Sequence, residues 1–229
     1  LSFKIETSGV LVALGPIAAL VVGTSVLMLP LLVLPVIAVR RTAQVAALRE
    51  HQSLHDPLTG LANRSLFRRR LERVLDTHGD GGLAVLMIDL DHFKDVNDTL
   101  GHDVGDDLLR EIAQRIESTA ARYGEEVEVA RLGGDEFAVL LLSAEPELRA
   151  LELAAALLDH LALPIDAGAT RLSIQASVGI TTSEGAPLHD VRTTLRQADI
   201  ALYEAKNERA RATVYRAGTH TESIDRLLL

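Results

Sequence analysis

Cysteine is absent from the 229 residues, and so is tryptophan. Without thiols there is no disulfide scaffold and no thiolate metal site, which is compatible with a reducing compartment. Aromatic residues make up only 3%, so a core has to be built from Leu, Val, Ile and Ala. Positive charge is scarce: 23 Lys and Arg stand against 32 Asp and Glu, a formal net charge of -9. That balance argues against a general nucleic-acid binder, whose footprint is basic. An acidic protein that takes a phosphorylated ligand must supply positive charge locally, from a cation or a few lysines. No Walker-type phosphate loop occurs. Asp89, Asp91 and Asp95 alternate loosely, but a calcium loop wants Gly at its sixth position and Lys94 stands there.

What is present is unevenly placed. Residues 1–9 are short and polar, whereas residues 10–39 carry no charge. That run exceeds a signal-peptide core and is long enough to cross roughly 30 Å of hydrocarbon. Pro16, Pro30 and Pro35 interrupt it, so it reads as one kinked span or as the end of a larger membrane region. A buried core helix is the alternative. Arg40 and Arg41 follow, and the positive-inside rule places the downstream part in the cytoplasm. Residues 40–55 read as a linker helix with a partial apolar seam at Val45, Leu48 and Leu54. His51 and His55 have a zinc-compatible helical spacing, with no third ligand evident.

Beyond the linker, periodicity predicts alternating helices and strands. Leu66, Phe67, Leu71, Val74 and Leu75 form the stripe of a helix over 61–75, and Arg64, Arg68, Arg69, Arg70 and Arg73 form its solvated face. Leu83 to Leu90 is an apolar strand; residues 91–105 are polar and punctuated by glycine. Helical spacing returns at Leu108, Ile112 and Ile116, and again from Glu147 to Leu161. Leu172 to Ile180 alternates as a strand with one face inward, and Leu188 to Leu202 reads as an amphipathic helix. A short strand at Thr213–Tyr215 closes the pattern. The predicted class is α/β (α+β): a mixed central sheet flanked by helices, preceded by a transmembrane helix.

The chemistry concentrates in two places. Two apolar runs, Val127–Leu132 and Phe137–Leu142, bracket a short loop and read as a β-hairpin. Gly133 and Gly134 open the loop, and Asp135 and Glu136 follow them. Adjacent carboxylates repel, so a plain turn has no need of them; a metal or general-base site does. A solvated acidic turn is the bland alternative. The strand at 83–90 also runs into an acid, Asp89. If the two strands are neighbours, Asp89 and Asp135 can share a divalent cation, since Mg²⁺ is often held by one or two carboxylates plus substrate phosphates.

Gly133-Gly134-Asp135-Glu136-Phe137 resembles the signature of the GGDEF family, the diguanylate cyclases. Asp56-Pro57-Leu58-Thr59-Gly60-Leu61-Ala62-Asn63-Arg64 is similar to that family's entry motif, and Asp89 to Asp106 to its nucleotide-binding segment. Ser177-Val178-Gly179-Ile180 and Ala198 to Lys206 resemble its later strand and last helix. These motifs fall in family order and place the domain at 56–216. The resemblance implies a sheet similar to polymerase palm and nucleotidyl cyclase folds. It also implies condensation of two GTP into cyclic di-GMP and two pyrophosphate at a homodimer interface, with Mg²⁺ (or Mn²⁺).

Carried over by motif, Asp89, the Leu90 carbonyl, Asp135 and Glu136 are metal ligands. Asp135 is also the proton acceptor, Glu136 assists, and Lys94 and Lys206 neutralise phosphate charge. Asn97 and Asp106 read guanine, whose Watson–Crick edge offers two donors beside an acceptor; His102 lines the same pocket. Gly133 and Gly134 leave room for the nucleotide. Asp106 is also expected to open a helix, where the dipole alone favours an acid. The resemblance is incomplete in two respects. The usual phosphate-binding Arg after Lys206 is replaced by Ala210, with Arg209 and Arg211 beside it. The Arg and Asp of the family's inhibitory product site are replaced by Gly124 and Val127, so no allosteric product site is expected. Arg122 and Glu125 form a similar pair displaced by two residues, which along a strand moves the groups about 6–7 Å. The tail at 217–229 resembles the start of a helix leading into an EAL phosphodiesterase domain. A catalytically silent GTP-binding module regulating such a domain is the competing reading.

Overall fold

The computed structural model describes residues 53–78, 82–124, 127–167, 170–184, 188, 190–208 and 210–217. The expected span at 10–39, most of the linker, His51 and the tail after Ala217 lie outside the described residues. Among the described residues no helix is long and apolar enough to cross a membrane.

Two strands form the centre. β2, Leu83–Asp91, is a run of apolar residues buried over almost its whole length. It pairs antiparallel with β4, Glu136–Leu142, on one side and with β7, Gln175–Thr182, on the other. β3, Val127–Gly133, completes the predicted hairpin with β4, and the register shifts between Arg131 and Gly133. Two short parallel edge strands finish a six-stranded mixed sheet: β1, Ala62–Asn63, beside β3, and β8, Ala212–Val214, beside β7. β5, Ile165–Ala167, and β6, Thr170–Leu172, form a separate two-stranded ribbon.

Successive residues of a strand face opposite ways, so β2 serves two cores. Ala84, Leu86, Ile88 and Leu90 pack under α3, His102–Ala120, and α4, Pro146–Leu161. Leu83, Val85 and Met87 pack under α1, Arg64–His78, and α5, Val191–Asn207. Asp89 continues this second row. The strand therefore carries a carboxylate to its end on the side where α5 lies.

Four expectations change. The helix expected at 61–75 starts at Arg64, because Ala62 and Asn63 are drawn into the sheet beside Ala130 and Arg131. The polar segment after β2 is helical: α2, Phe93–Leu100, turns at Gly101 straight into α3. Asp106 consequently lies in the second turn of α3 and does not open it. β7 is buried on both faces, not one. Its small and polar residues meet α5: Gly179 sits against the backbone of Ala198 and Leu202, and the Thr181 hydroxyl donates to the Gln197 side chain at Oε1, 3.0 Å away.

Candidate active site

Antiparallel register sets Asp89 opposite Glu136 across the β2–β4 pair and opposite Ser177 across β2–β7. Gly134 and Asp135 form the two-residue connection between β3 and β4. Gly133 and Gly134 have φ of +144° and +54°, a region that a side chain disfavours, and a Cβ at either would meet nothing within 4 Å. The turn thus needs glycine for backbone shape, and it leaves open space above the main chain. The Leu90 N–H donates to the Asp135 carbonyl at 3.3 Å, which ties the hairpin tip to the end of β2.

Two arginines hold this tip, and neither was legible as a site residue. Arg131 donates twice to the Gly134 carbonyl, at 3.0 and 2.8 Å, and once to Asp56 Oδ1 at 2.9 Å. Asp56 also accepts from the Thr59 N–H and hydroxyl. Burial works against ionisation of Asp56, but the bonds from Thr59 and Arg131 outweigh it and hold the carboxyl below its ordinary range. Arg64 donates to the Leu132 carbonyl at 3.1 Å and pairs with Glu136 at 2.9 Å. The entry motif therefore acts as a brace for the signature loop.

A cavity of about 690 Å³ opens at the ends of β2 and β7. Of the expected site residues it gathers Asp89, Leu90, Lys94, Asp135 and Lys206. Glu136 is adjacent through its pairing with Asp89 but does not line it. Lys206, in the last turn of α5, places Nζ 2.7 Å from Asp89 Oδ1. Burial pushes the Asp89 carboxyl above its ordinary range; Lys206 opposes this, and the nearby charges of Asp135 and Glu136 add to it. Asp91 and Ser177, hydrogen-bonded at 3.0 Å, also line the cavity.

The donor set suits a hard divalent cation. Its groups are carboxylate and carbonyl oxygens, their mutual repulsion calls for positive charge, and a Lys206 ammonium already lies against one of them. Among the described residues no three acidic or histidine side chains converge into a closed cage. An open set of this kind fits Mg²⁺, which completes its shell with water and substrate phosphate.

Asn97, His102 and Asp106 lie at the α2–α3 corner, outside the lining of the cavity. Phe93 connects the two regions: it lines the cavity, and its ring reaches Gly105. His102 and Asp106 are four residues apart and share a helix face. Arg211 lines the cavity, but its guanidinium donates to the Leu158 carbonyl at 2.8 Å. Arg209 lies outside the described residues. Arg122 falls in a 3-10 turn, Ala121–Tyr123, so the strand spacing assumed for the displaced Arg122–Glu125 pair does not apply; Glu125 itself is outside the described residues.

Comparison with known proteins places the chain in a family. The family model for the diguanylate cyclase GGDEF domain matches residues 53–212. Diguanylate cyclase TpbB of Pseudomonas aeruginosa is 41% identical over 165 residues, covering 69% of this chain and 36% of the relative. The bifunctional diguanylate cyclase/cyclic di-GMP phosphodiesterase MucR of the same organism is 40% identical over 160 residues, 68% of this chain and 22% of the relative. The chain thus spans about a third or less of the length of these relatives. A structure of TpbB comprising only the GGDEF domain has a TM-score of 0.66 at 39% identity, covering 75% of this chain and 99% of that one. The GGDEF domain of DgcB from Caulobacter crescentus, solved in complex with c-di-GMP, has a TM-score of 0.63 at 28% identity, covering 73% and 94%. The fold is that of a mixed α/β GGDEF domain. The chain belongs to the GGDEF family.

Proposed function

We propose that this chain is a diguanylate cyclase that condenses two GTP into cyclic di-GMP and two pyrophosphate. The observation that carries the reading is the convergence of Asp89, Asp135 and Lys206 on one open cavity beside the Glu136 carboxylate. Each domain holds one GTP, and two domains face each other as a homodimer. The 3′-hydroxyl of one nucleotide attacks the α-phosphorus of the other, and pyrophosphate leaves. Asp89, the Leu90 carbonyl, Asp135 and Glu136 would hold Mg²⁺ or Mn²⁺. When bound, the cation supplies charge neutralisation at the phosphates and lowers the pKa of the attacking hydroxyl.

The remaining work belongs to the protein and is mainly positioning. Asp135, on the hairpin tip braced by Arg131, accepts the hydroxyl proton. Lys94 and Lys206 balance phosphate charge; Lys206 has a flexible stem and can turn from Asp89 toward a phosphate. Asn97 and Asp106 read guanine, with His102 at the rim of the base site. Adenine presents the opposite donor pattern and leaves Asp106 unpaired. Residues 10–39 anchor the protein in the cell membrane of a bacterium, with the domain in the cytoplasm. A downstream EAL domain is a further partner consistent with the tail.

One observation favours the second reading, a catalytically silent GTP-binding module. The usual phosphate-binding Arg is Ala210, and Arg211 is engaged with the end of α4. Purified wild-type chain, Asp135→Ala and Asp106→Ala, each incubated with GTP and Mg²⁺, separate the two readings. A cyclase makes cyclic di-GMP and loses it in Asp135→Ala, and Asp106→Ala discriminates less against ATP. GTP binding without product in the wild type assigns the silent role.

A further inference from the structure

α2 and α3 meet at a corner where one residue has no side chain. Gly105 is buried in the second turn of α3. A Cβ built there would lie 1.9 Å from Asn97 Oδ1, 3.0 Å from Asn97 Cγ and 3.3 Å from Phe93 Cζ. The Asn97 carboxamide therefore rests on the bare Cα of Gly105, one residue before Asp106. The Asn97 carbonyl accepts the Gly101 N–H at 2.9 Å, and the Gly101 carbonyl accepts the Gly105 N–H at 3.2 Å, so the corner is held by backbone bonds. These bonds do not involve the Asn97 carboxamide.

We propose that Gly105 is a positioning residue for base selection: its missing side chain seats the Asn97 carboxamide beside Asp106, so that both meet the guanine edge together. This rests on the reading of Asn97 and Asp106 as the guanine contacts. The atom nearest the absent Cβ is the free end of a rotatable side chain, not backbone. A methyl group at 105 is accommodated by turning Asn97 about χ1 and χ2, away from its seat, with the helices in place. The base then loses one or two hydrogen bonds, while the Phe93 ring at 3.3 Å gives by only a few tenths of an ångström and the added methyl meets none of Asp89, Asp135 and Lys206.

The test is steady-state kinetics of Gly105→Ala, Asn97→Ala and the double variant in the full chain, with GTP and with ATP as competitor, alongside melting curves. Gly105→Ala is expected to raise the GTP KM about tenfold, with a smaller change in kcat, and to weaken GTP-over-ATP selection. In the Asn97→Ala background the added methyl should change KM no further, because the side chain it displaces is gone. A Gly105→Ala enzyme with wild-type KM and selectivity, beside an impaired Asn97→Ala, overturns the proposal and leaves the guanine reading intact. A silent Asn97→Ala overturns the guanine reading, and the proposal with it. If Gly105→Ala alone fails to fold, the double variant decides. Recovery of folding, with the KM of Asn97→Ala, supports the seat. Failure of both shows that Gly105 serves backbone packing only.

Discussion

Substituting Gly179 by alanine puts a methyl group where α5 already is. The added Cβ would lie 2.2 Å from the Ala198 carbonyl oxygen, 2.2 Å from the Leu202 nitrogen and 2.6 Å from the Leu202 Cα. All three are backbone atoms, so no rotamer change relieves the contact. An ordinary contact begins near 3.4 Å, and close-packed interiors have no slack to absorb the difference. α5 has to recede by roughly 1 Å. Overpacking of this kind costs about 1–3 kcal/mol, which for a domain of this size lowers Tm by about 3–10 °C. Lys206 lies one turn beyond Leu202 on the same helix, with Nζ 2.7 Å from Asp89 Oδ1. A shift of that size displaces the end of the helix that carries Lys206 relative to Asp89 and Asp135, and misplacement of about 1 Å at a reacting centre can cost on the order of 100-fold. Gly179→Ala should therefore lose both stability and turnover. Lys206→Met should lose turnover with little change in Tm. Differential scanning calorimetry and initial rates of cyclic di-GMP formation check both variants. A Gly179→Ala protein with wild-type melting and rate would refute the packing of α5 on β7 described here.

Other outcomes follow from the brace and the acidic edge. Arg131→Ala leaves Asp56 half-buried without its cation and frees the Gly134 carbonyl, so it should cost about 3 kcal/mol and most of the activity; an unchanged melting temperature contradicts it. Because the folded Asp56 carboxyl is held below its unfolded value, its contribution is complete above the ordinary carboxylate range and disappears as pH falls through the lowered value. Asp56→Asn should remove that part of the acid destabilisation, read from Tm against pH. Asp89 has the opposite sign: its folded carboxyl is raised, so ionisation weakens the fold as pH rises through that range. Asp89→Asn should be inactive yet melt no lower than the parent at neutral pH without metal; a loss of several degrees argues that Asp89 is a structural ion-pair partner. Gly124 and Val127 provide neither a charge nor an acceptor, so initial rates at saturating GTP should stay flat as micromolar cyclic di-GMP is added. Non-competitive inhibition removed by Arg122→Ala would show a product site built another way.

The hairpin and its acids were legible because glycine pairs and adjacent carboxylates are poor choices for an ordinary turn. β2 was legible as an unbroken apolar run ending in Asp89. Its pairing with β4, which brings Asp89 opposite Glu136, was only a condition until the register was known. The helix at 93–100 was hidden by composition: Phe93 is its only buried residue, too little for periodicity to register. β7 misled in the opposite way. Ser177, Gly179 and Thr181 look like a solvent face, yet Gly179 and Thr181 meet α5 and Ser177 lines the cavity beside Asp91. Arg64 looks in sequence like part of a solvated helix face, and its bond to the Leu132 carbonyl, 68 residues on, has no local sequence signal. Arg131 was hidden similarly, since its partner Asp56 is 75 residues away.

In the proposed reaction, two copies of this domain join two GTP molecules. The most direct measurement is the initial rate of cyclic di-GMP formation from GTP and Mg²⁺ over a wide dilution series of purified protein, with oligomeric state recorded at each concentration. With half of the reacting groups on each domain, as proposed, specific activity should fall on dilution. A dimerising helix fused ahead of Asp56 should restore it at low concentration. Constant specific activity in a demonstrated monomer, or bound GTP with no product at any concentration, would contradict the proposed cyclase reaction.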